Sequence, residues 1–116
     1  MNIIVQKFGG TSVRDDQTRR EAAKHVLTEV NNGKKVVVVV SAMGRKGDPY
    51  ATDTLLGLLS NQSALKNRDR DLFISCGEVI SAAIFTDLLL SMGLQAKAVT
   101  GAQAGIRTNE NFGNAR

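Results

Sequence analysis

The chain contains 116 residues, of which 42% are hydrophobic and 22% charged, and its formal net charge is +4. This length and balance suit one folded domain with a single core, and they exclude a disordered chain. Basic residues are interspersed with acidic ones and aromatic residues make up only 4%. The charge therefore suits a solvated mixed-charge surface or a small anionic ligand better than nucleic acid.

The first forty residues predict a strand, a helix and a second strand. Residues 3–8 form a short apolar run that predicts a buried strand. Between about Asp16 and Asn31 apolar residues recur at helical spacing, and Gly33 stands where a left-handed helix cap belongs. The sequence "KKVVVVVS" then predicts a strand covered on both faces, as parallel strands are. Together these elements predict a right-handed βαβ unit.

The rest of the chain predicts further helices and one more strand. After the loop "AMGRKGDPYAT", the segment "DTLLGLL" resumes helical spacing. Residues 69–92 predict mostly buried helix, with Gly77 as a possible break between two helices. "QAKAVT" at 95–100 predicts a third strand, and a loop rich in Gly and Asn follows. The order predicts an α/β fold, a three-layer sandwich with a mainly parallel sheet, of which three strands are too few to be complete.

The sequence also predicts the compartment. The longest apolar run, residues 36–43, is far shorter than the ~18 residues that cross a bilayer, and the N-terminus lacks a signal-peptide layout. Cys76 is the only cysteine, so an internal disulfide is excluded and a reducing environment fits. We therefore expect a cytoplasmic protein without a membrane partner.

Three loops follow the three predicted strands: "KFGGTS", "SAMG" and "TGAQAG". The carboxyl ends of parallel strands share one edge of the sheet, where ligands of open α/β folds bind. Glycines there let backbone N–H groups approach phosphate oxygens, and Lys7 supplies positive charge. The spacing matches neither the Walker A loop nor the GxGxxG fingerprint. A single Gly-Gly is more often a plain turn, but three such loops on one edge favour an anion site.

The motifs "KFGGTSV", "VVVSAMG", "SCGE" and "TGAQAG", in this order, resemble the N-terminal part of aspartokinases in the amino acid kinase superfamily. The resemblance covers essentially the whole chain. It implies an amino acid kinase-like fold and ATP-dependent phosphorylation of the side-chain carboxylate of L-aspartate to 4-phospho-L-aspartate, with Mg²⁺. This reaction is the first step of the diaminopimelate pathway to lysine, threonine and methionine.

The resemblance also implies roles for individual residues. Lys7 would act on the transferring phosphoryl group, and the loop around the phosphates and substrate would comprise Gly9, Gly10, Thr11 and Ser12. Three further residues match positions that contact the L-aspartate substrate in the family: Ser41, Thr52 and Glu78. No metal ligand is implied among these residues. The chemistry agrees with these roles, because the substrate carboxylate is already ionised at pH 7 and requires no general base.

A purely structural role remains open for each of the three residues that match substrate-binding positions. Thr52 precedes an apolar helical segment and could be its N-cap. Ser41 could merely close its strand. Glu78 has the helical neighbours Ile74, Ser75, Ser81 and Ala82 and no nearby cation. A carboxylate on such a surface is costly unless a ligand or a distant residue satisfies it.

Aspartokinases continue well beyond 116 residues, with further sheet, most of the nucleotide pocket and regulatory ACT domains. We therefore expect residues 1–116 to be the N-terminal part of a kinase domain that is inactive in isolation, and the complete enzyme to be a homo- or hetero-oligomer. Two alternatives remain. The chain could begin another amino acid kinase, such as an acetylglutamate, glutamate or uridylate kinase, or it could be a non-catalytic anion-binding module.

Overall fold

The structure, a computed structural model, describes residues 2–110. Two strands, three α-helices and one 3₁₀ helix follow one another along the chain. They are β1 (Ile3–Phe8), the 3₁₀ helix (Gly10–Val13), α1 (Asp16–Asn31), β2 (Lys35–Val40), α2 (Thr52–Leu56) and α3 (Asn67–Ser91).

The predicted βαβ unit is confirmed. β1 and β2 pair in parallel, in a register that runs from Ile3 opposite Lys35 to Phe8 opposite Val40. The two strands therefore end at the same edge of the sheet. Gly33, directly before β2, has a φ of +81°, a conformation that glycine adopts without strain and that ends α1 as predicted.

The N-terminus of α1 is fixed by a capping box. The Asp15 carboxylate accepts the backbone N–H of Thr18 at 2.8 Å, while the Thr18 hydroxyl accepts the N–H of Asp15 at 3.1 Å. The pKa of Asp15 lies below its ordinary value, mainly because of the hydrogen bond with the Thr18 backbone and, to a smaller extent, because of the hydrogen bond with the Thr18 side chain. A lowered pKa means that this cap stabilises the fold at neutral pH and that the stabilisation is lost as the pH falls through the lowered value.

One face of the sheet packs against α1 and α3. Phe8, Val38 and Val40 contact a buried cluster that α1 and α3 build around Val26 and Phe85. The opposite face carries the alternate residues of both strands, and its large apolar side chains are exposed, among them Val5 at 63% and Val37 at 50%. The α/β fold with a parallel sheet is confirmed, while the coverage of both sheet faces predicted from the valine run is not observed among residues 2–110.

α3 is one continuous helix, so the predicted break at Gly77 is wrong. Gly77 is buried because the helix passes very close to the chain after β2. A Cβ atom at this position would lie 3.0 Å from the Tyr50 carbonyl oxygen, 3.0 Å from Leu55 Cδ1 and 3.2 Å from Ala42 Cβ. The glycine therefore permits close packing and does not bend the helix.

Gly77→Ala is expected to lower the melting temperature of the protein. Alanine gains about 1 kcal/mol of helix propensity over glycine, but its Cβ would meet backbone at Tyr50, and overpacking of this kind typically costs about 1–3 kcal/mol. Ala83→Gly, at an exposed position of the same helix, measures the propensity difference alone. A melting temperature raised by Gly77→Ala would contradict the close packing.

By length and composition α3 is also the one helix within residues 2–110 that could cross a membrane, with a mean hydropathy of 1.7 over 18 residues. The sequence prediction considered uninterrupted apolar runs and so did not identify it. One side of the helix, including Ser81, Phe85 and Leu88, is buried, and α3 packs against α1 and β2. Only 28% of the apolar window is buried, so α3 contributes one side to the core and the prediction of a mostly buried helix is wrong. Cys76, on another side, is exposed.

The third strand, predicted at residues 95–100, is wrong as assigned: this segment forms no strand in the described part of the chain. Within it only Ala96 is partly buried, and it packs against the core together with Leu94, which precedes the segment. A cavity of about 650 Å³ separates residues 94–98 from β2. The segment therefore lacks a neighbouring strand within hydrogen-bonding distance.

Candidate functional site

The loop after β1 begins at the carboxyl edge of the sheet. Gly9 precedes the 3₁₀ helix in an extended conformation, and the N–H of Ser12 donates to its carbonyl at 3.0 Å. Val13 is fully buried and anchors this loop in the core. Thr11 and Ser12 are exposed, so both hydroxyl groups are accessible to a ligand.

The loops after β1 and β2 are in direct contact. The N–H of Gly44 donates to the carbonyl of Gly10 at 2.8 Å. A Cβ atom on Gly10 would lie 2.5 Å from the Gly44 oxygen and 2.9 Å from the Ala42 oxygen. Only glycine fits at position 10, because such distances to backbone atoms leave no room for a side chain. The prediction that "KFGGTS" and "SAMG" meet at one edge is confirmed.

Lys7 lies one residue before the end of β1, on the exposed face of the sheet. Within residues 2–110 its ammonium group takes part in no hydrogen bond or salt bridge. A cation without a protein partner, at the end of the strand that leads into the glycine loop, can bind an anion there.

Ser41 and Thr52 lie at either end of the segment that connects β2 to α2. The Ser41 N–H donates to the Phe8 carbonyl at 3.1 Å, so its backbone extends the pairing of the two strands and leaves the side chain free for another role. Thr52 is the first residue of α2, and the N-cap is Ala51, which makes no side-chain hydrogen bond. The alternative in which Thr52 caps this helix is therefore wrong.

Glu78 is exposed on α3, so its carboxylate is not desolvated, although apolar side chains such as Val79 and Ala82 line the same cavity. The face of α3 that carries it borders a cavity of about 440 Å³, whose other walls are the end of β2 and residues 98–106. The third loop, "TGAQAG", forms a turn in this wall, closed by a bond from the Ala104 N–H to the Thr100 carbonyl at 2.9 Å. The structure thus brings Glu78 and the third loop to one cavity.

Sequence reasoning missed an ion pair between the first two loops. Arg14 Nε lies 3.2 Å from the Asp48 carboxylate, although 34 residues separate the two in the chain. Neither residue stands out in the sequence, because Arg14 belongs to a mixed-charge run and Asp48 to a turn-like "GDP". No periodicity or motif links positions so far apart.

The described residues fit phosphate better than they fit a metal ion. The exposed hydroxyls of Thr11 and Ser12 and a lysine without a partner among residues 2–110 suit phosphate oxygens. Residues 2–110 contain no group of three or more His, Cys, Asp or Glu side chains that could hold a metal ion.

The chain is similar in sequence to proteins of one family. A model of the amino acid kinase family matches residues 2–115. Aspartokinase 1 of Bacillus subtilis is 61% identical over 117 residues, which cover 100% of this chain and 29% of the relative. The aspartokinase of Geobacillus stearothermophilus is 45% identical over 119 residues, or 100% of this chain and 28% of the relative.

A solved structure agrees with these relatives. The crystal structure of aspartate kinase from Synechocystis superposes with a TM-score of 0.77 and 38% sequence identity. The match covers 87% of this chain and 17% of the solved chain. The chain therefore spans less than a third of the length of each of these proteins.

Proposed function

This chain belongs to the amino acid kinase family, and on that premise we propose that it is the N-terminal part of an enzyme that phosphorylates the side-chain carboxylate of L-aspartate with ATP. The product is 4-phospho-L-aspartate, and the proposed role is the first step of lysine, threonine and methionine synthesis in the cytoplasm. Relatives named aspartokinase, with identities of 61% and 45%, support the choice of aspartate within the family.

The observation that carries this proposal is the interlocking of the two glycine loops, with the Gly44 N–H bonded to the Gly10 carbonyl at 2.8 Å. The contact fixes the spacing of two backbone segments at the end of the sheet, and Lys7 lies at the same end. Phosphoryl transfer depends on positioning and on neutralising the charge of the phosphoryl oxygens, which a fixed loop and a lysine can provide.

The proposed roles divide the site in two. Lys7 and the loop Gly9–Ser12 bind and orient the phosphoryl group, while Ser41, Thr52 and Glu78 bind aspartate. The attacking carboxylate is ionised at neutral pH, so no residue of this chain has to remove a proton. Mg²⁺, which is commonly held by nucleotide phosphates and water, would add positive charge when bound. Residues 2–110 contain no group of three or more His, Cys, Asp or Glu side chains that could hold the ion by themselves.

A chimera tests the proposal. Residues 1–116 replace the matching segment of Bacillus subtilis aspartokinase 1, and ADP formation is measured with L-aspartate, L-glutamate, N-acetyl-L-glutamate or UMP as acceptor. We expect turnover with L-aspartate alone. Preference for another acceptor would assign the chain to a different branch of the family, and nucleotide binding without turnover of any acceptor would favour an anion-binding module. The unmodified Bacillus enzyme serves as the positive control.

Glu78→Gln in the same chimera is expected to weaken aspartate binding about 10- to 150-fold and to leave ATP binding unchanged. The variant keeps the shape of the side chain and removes its charge, and a hydrogen bond to a charged group contributes about 1.5–3 kcal/mol. Dissociation constants for both ligands and the melting temperature are measured, with Asp87→Asn on the same helix as a matched control. An unchanged aspartate constant in a folded variant would remove Glu78 from the site.

A further inference from the structure

Asp48 makes an unusual number of contacts for a loop residue. Its carboxylate accepts the backbone N–H of Arg45 at 2.8 Å and pairs with Arg14 through two contacts, at 3.2 Å to Nε and 3.3 Å to Nη2. Its own N–H donates to the Arg45 carbonyl at 2.8 Å. Both carboxylate oxygens are therefore engaged, one of them twice.

The backbone is folded closely around this carboxylate. Gly44 has a φ of +83°, and a Cβ atom there would collide with the Asp48 side chain. The Asp48 side chain is 25% exposed, whereas that of Arg14 is 56% exposed. An isolated exposed ion pair contributes little, but a bidentate pair that also accepts a backbone N–H is geometrically constrained and stronger.

The two residues join the two loops of the proposed phosphate site. Arg14 directly follows the 3₁₀ helix of the first loop, and Asp48 belongs to the loop after β2. Within residues 2–110, a single backbone hydrogen bond, from Gly44 to Gly10, links residues 9–14 to residues 42–50. The Asp48 loop also continues towards the aspartate side of the site, because the Gly47 N–H donates to Thr54 Oγ1 of α2 at 3.0 Å.

We infer that Asp48 is a positioning residue that holds the first glycine loop against the second through Arg14 and the Arg45 N–H. This inference rests on the proposed function of the loops. In this role Asp48 acts through Arg14 and the Arg45 N–H and is assigned no contact with either substrate. Its loss leaves the Gly44–Gly10 backbone bond and the Arg19 guanidinium, which contacts the Val13 carbonyl at 3.2 Å and Met43 Sδ at 3.5 Å, to hold the two loops. Displacements of about 1 Å in a phosphoryl-transfer site can cost about 100-fold in rate.

Kinetics of the chimera test this inference. Asp48→Asn and Arg14→Gln each remove the charge pair and are expected to lower kcat about 10-fold, with the aspartate KM changed less than about twofold. Because both break the same contact, the double variant should fall no further. Asp48→Ala also removes the acceptor of the Arg45 backbone N–H and should lower kcat about 10- to 100-fold. Asp69→Asn, which breaks an exposed Arg–Asp pair of 3.1 Å on α3, is the control, and all rates are measured well below each melting temperature.

Hydrogen exchange gives a second measurement that does not depend on activity. The amides of Gly44 and Arg45 are expected to exchange faster in Asp48→Asn than in the unmodified chimera, and Asp69→Asn should leave them unchanged. Unchanged exchange at both amides overturns the inference, as does a kcat within twofold of the control for both Asp48 variants. If the unmodified chimera does not turn over aspartate, the proposed function fails, and the exchange comparison alone decides the role of Asp48.

Discussion

Lys7→Ala in the chimera is expected to lower kcat about 100-fold or more while aspartate binding stays nearly the same. A lysine on the transferring phosphoryl group acts chiefly in the transition state, where charge is redistributed over the phosphoryl oxygens. The exposure of Lys7 and its lack of a protein partner among residues 2–110 indicate that folding does not depend on it. The measurements are kcat, the aspartate dissociation constant and the melting temperature.

Lys35→Ala is the matched control for Lys7. Lys35 lies on the same exposed face of the sheet but at the amino end of β2, opposite Ile3. At about 3.3 Å per residue, four residues of strand place it roughly 13 Å from Lys7. Equal effects of the two substitutions would mean that Lys7 contributes only to the overall positive electrostatic potential of this face and has no specific contact with the phosphoryl group. Near-normal turnover with a lower melting temperature would make Lys7 a structural residue and the loop a plain turn.

Gly10→Ala is expected to abolish most of the turnover and to lower the melting temperature. The added Cβ meets two backbone oxygens, those of Gly44 and Ala42, at 2.5 and 2.9 Å. Neither can move without separating the loops, and overpacking of this severity typically costs about 1–3 kcal/mol of stability or more. The loss of activity should exceed the loss of folded protein, because the phosphate loop is displaced even in folded molecules.

Gly9→Ala is the control that shows whether any added side chain in this loop is disruptive or only one at Gly10. A Cβ on Gly9 has no atom within 4 Å, and its φ of −73° is open to any residue. Gly9→Ala should therefore keep a melting temperature close to that of the unmodified chimera. Equal melting temperatures for the two alanine variants would contradict the close contact at Gly10.

The parts of the fold that depend on local pattern were predictable from the sequence. β1, α1 and β2 have the predicted positions, because apolar spacing, the cap at Gly33 and the valine run are all local signals. The failure of the third strand was not predictable, since a strand exists only when a neighbour supplies hydrogen bonds, and within residues 2–110 no strand pairs with residues 95–100. Gly77 was misjudged because a glycine inside a helix can mark a bend or a close approach, and only the position of residues 42–55 distinguishes them.

The candidate site was likewise predictable only where it depends on the order of strands and on local motifs. The meeting of the first two loops follows from the parallel arrangement of β1 and β2, which the sequence indicated. The pair between Arg14 and Asp48 depends on how both loops fold back, which no spacing reveals. Glu78 was identified by its motif. The argument that its apolar neighbours make the carboxylate costly does not hold, because Glu78 is exposed at the edge of a cavity. The resemblance to aspartokinases, carried by four short motifs, is confirmed by relatives of that name.

The central claim is that the two interlocked loops and Lys7 bind the phosphates while Glu78 binds aspartate. A crystal structure of the chimera with L-aspartate and a non-hydrolysable ATP analogue tests it most directly. We expect the terminal phosphate about 3 Å from Lys7 Nζ and beside the loop Gly9–Ser12, with the aspartate ammonium group at similar distance from the Glu78 carboxylate. Nucleotide phosphates bound away from these loops, or aspartate bound without Glu78, would contradict the claim.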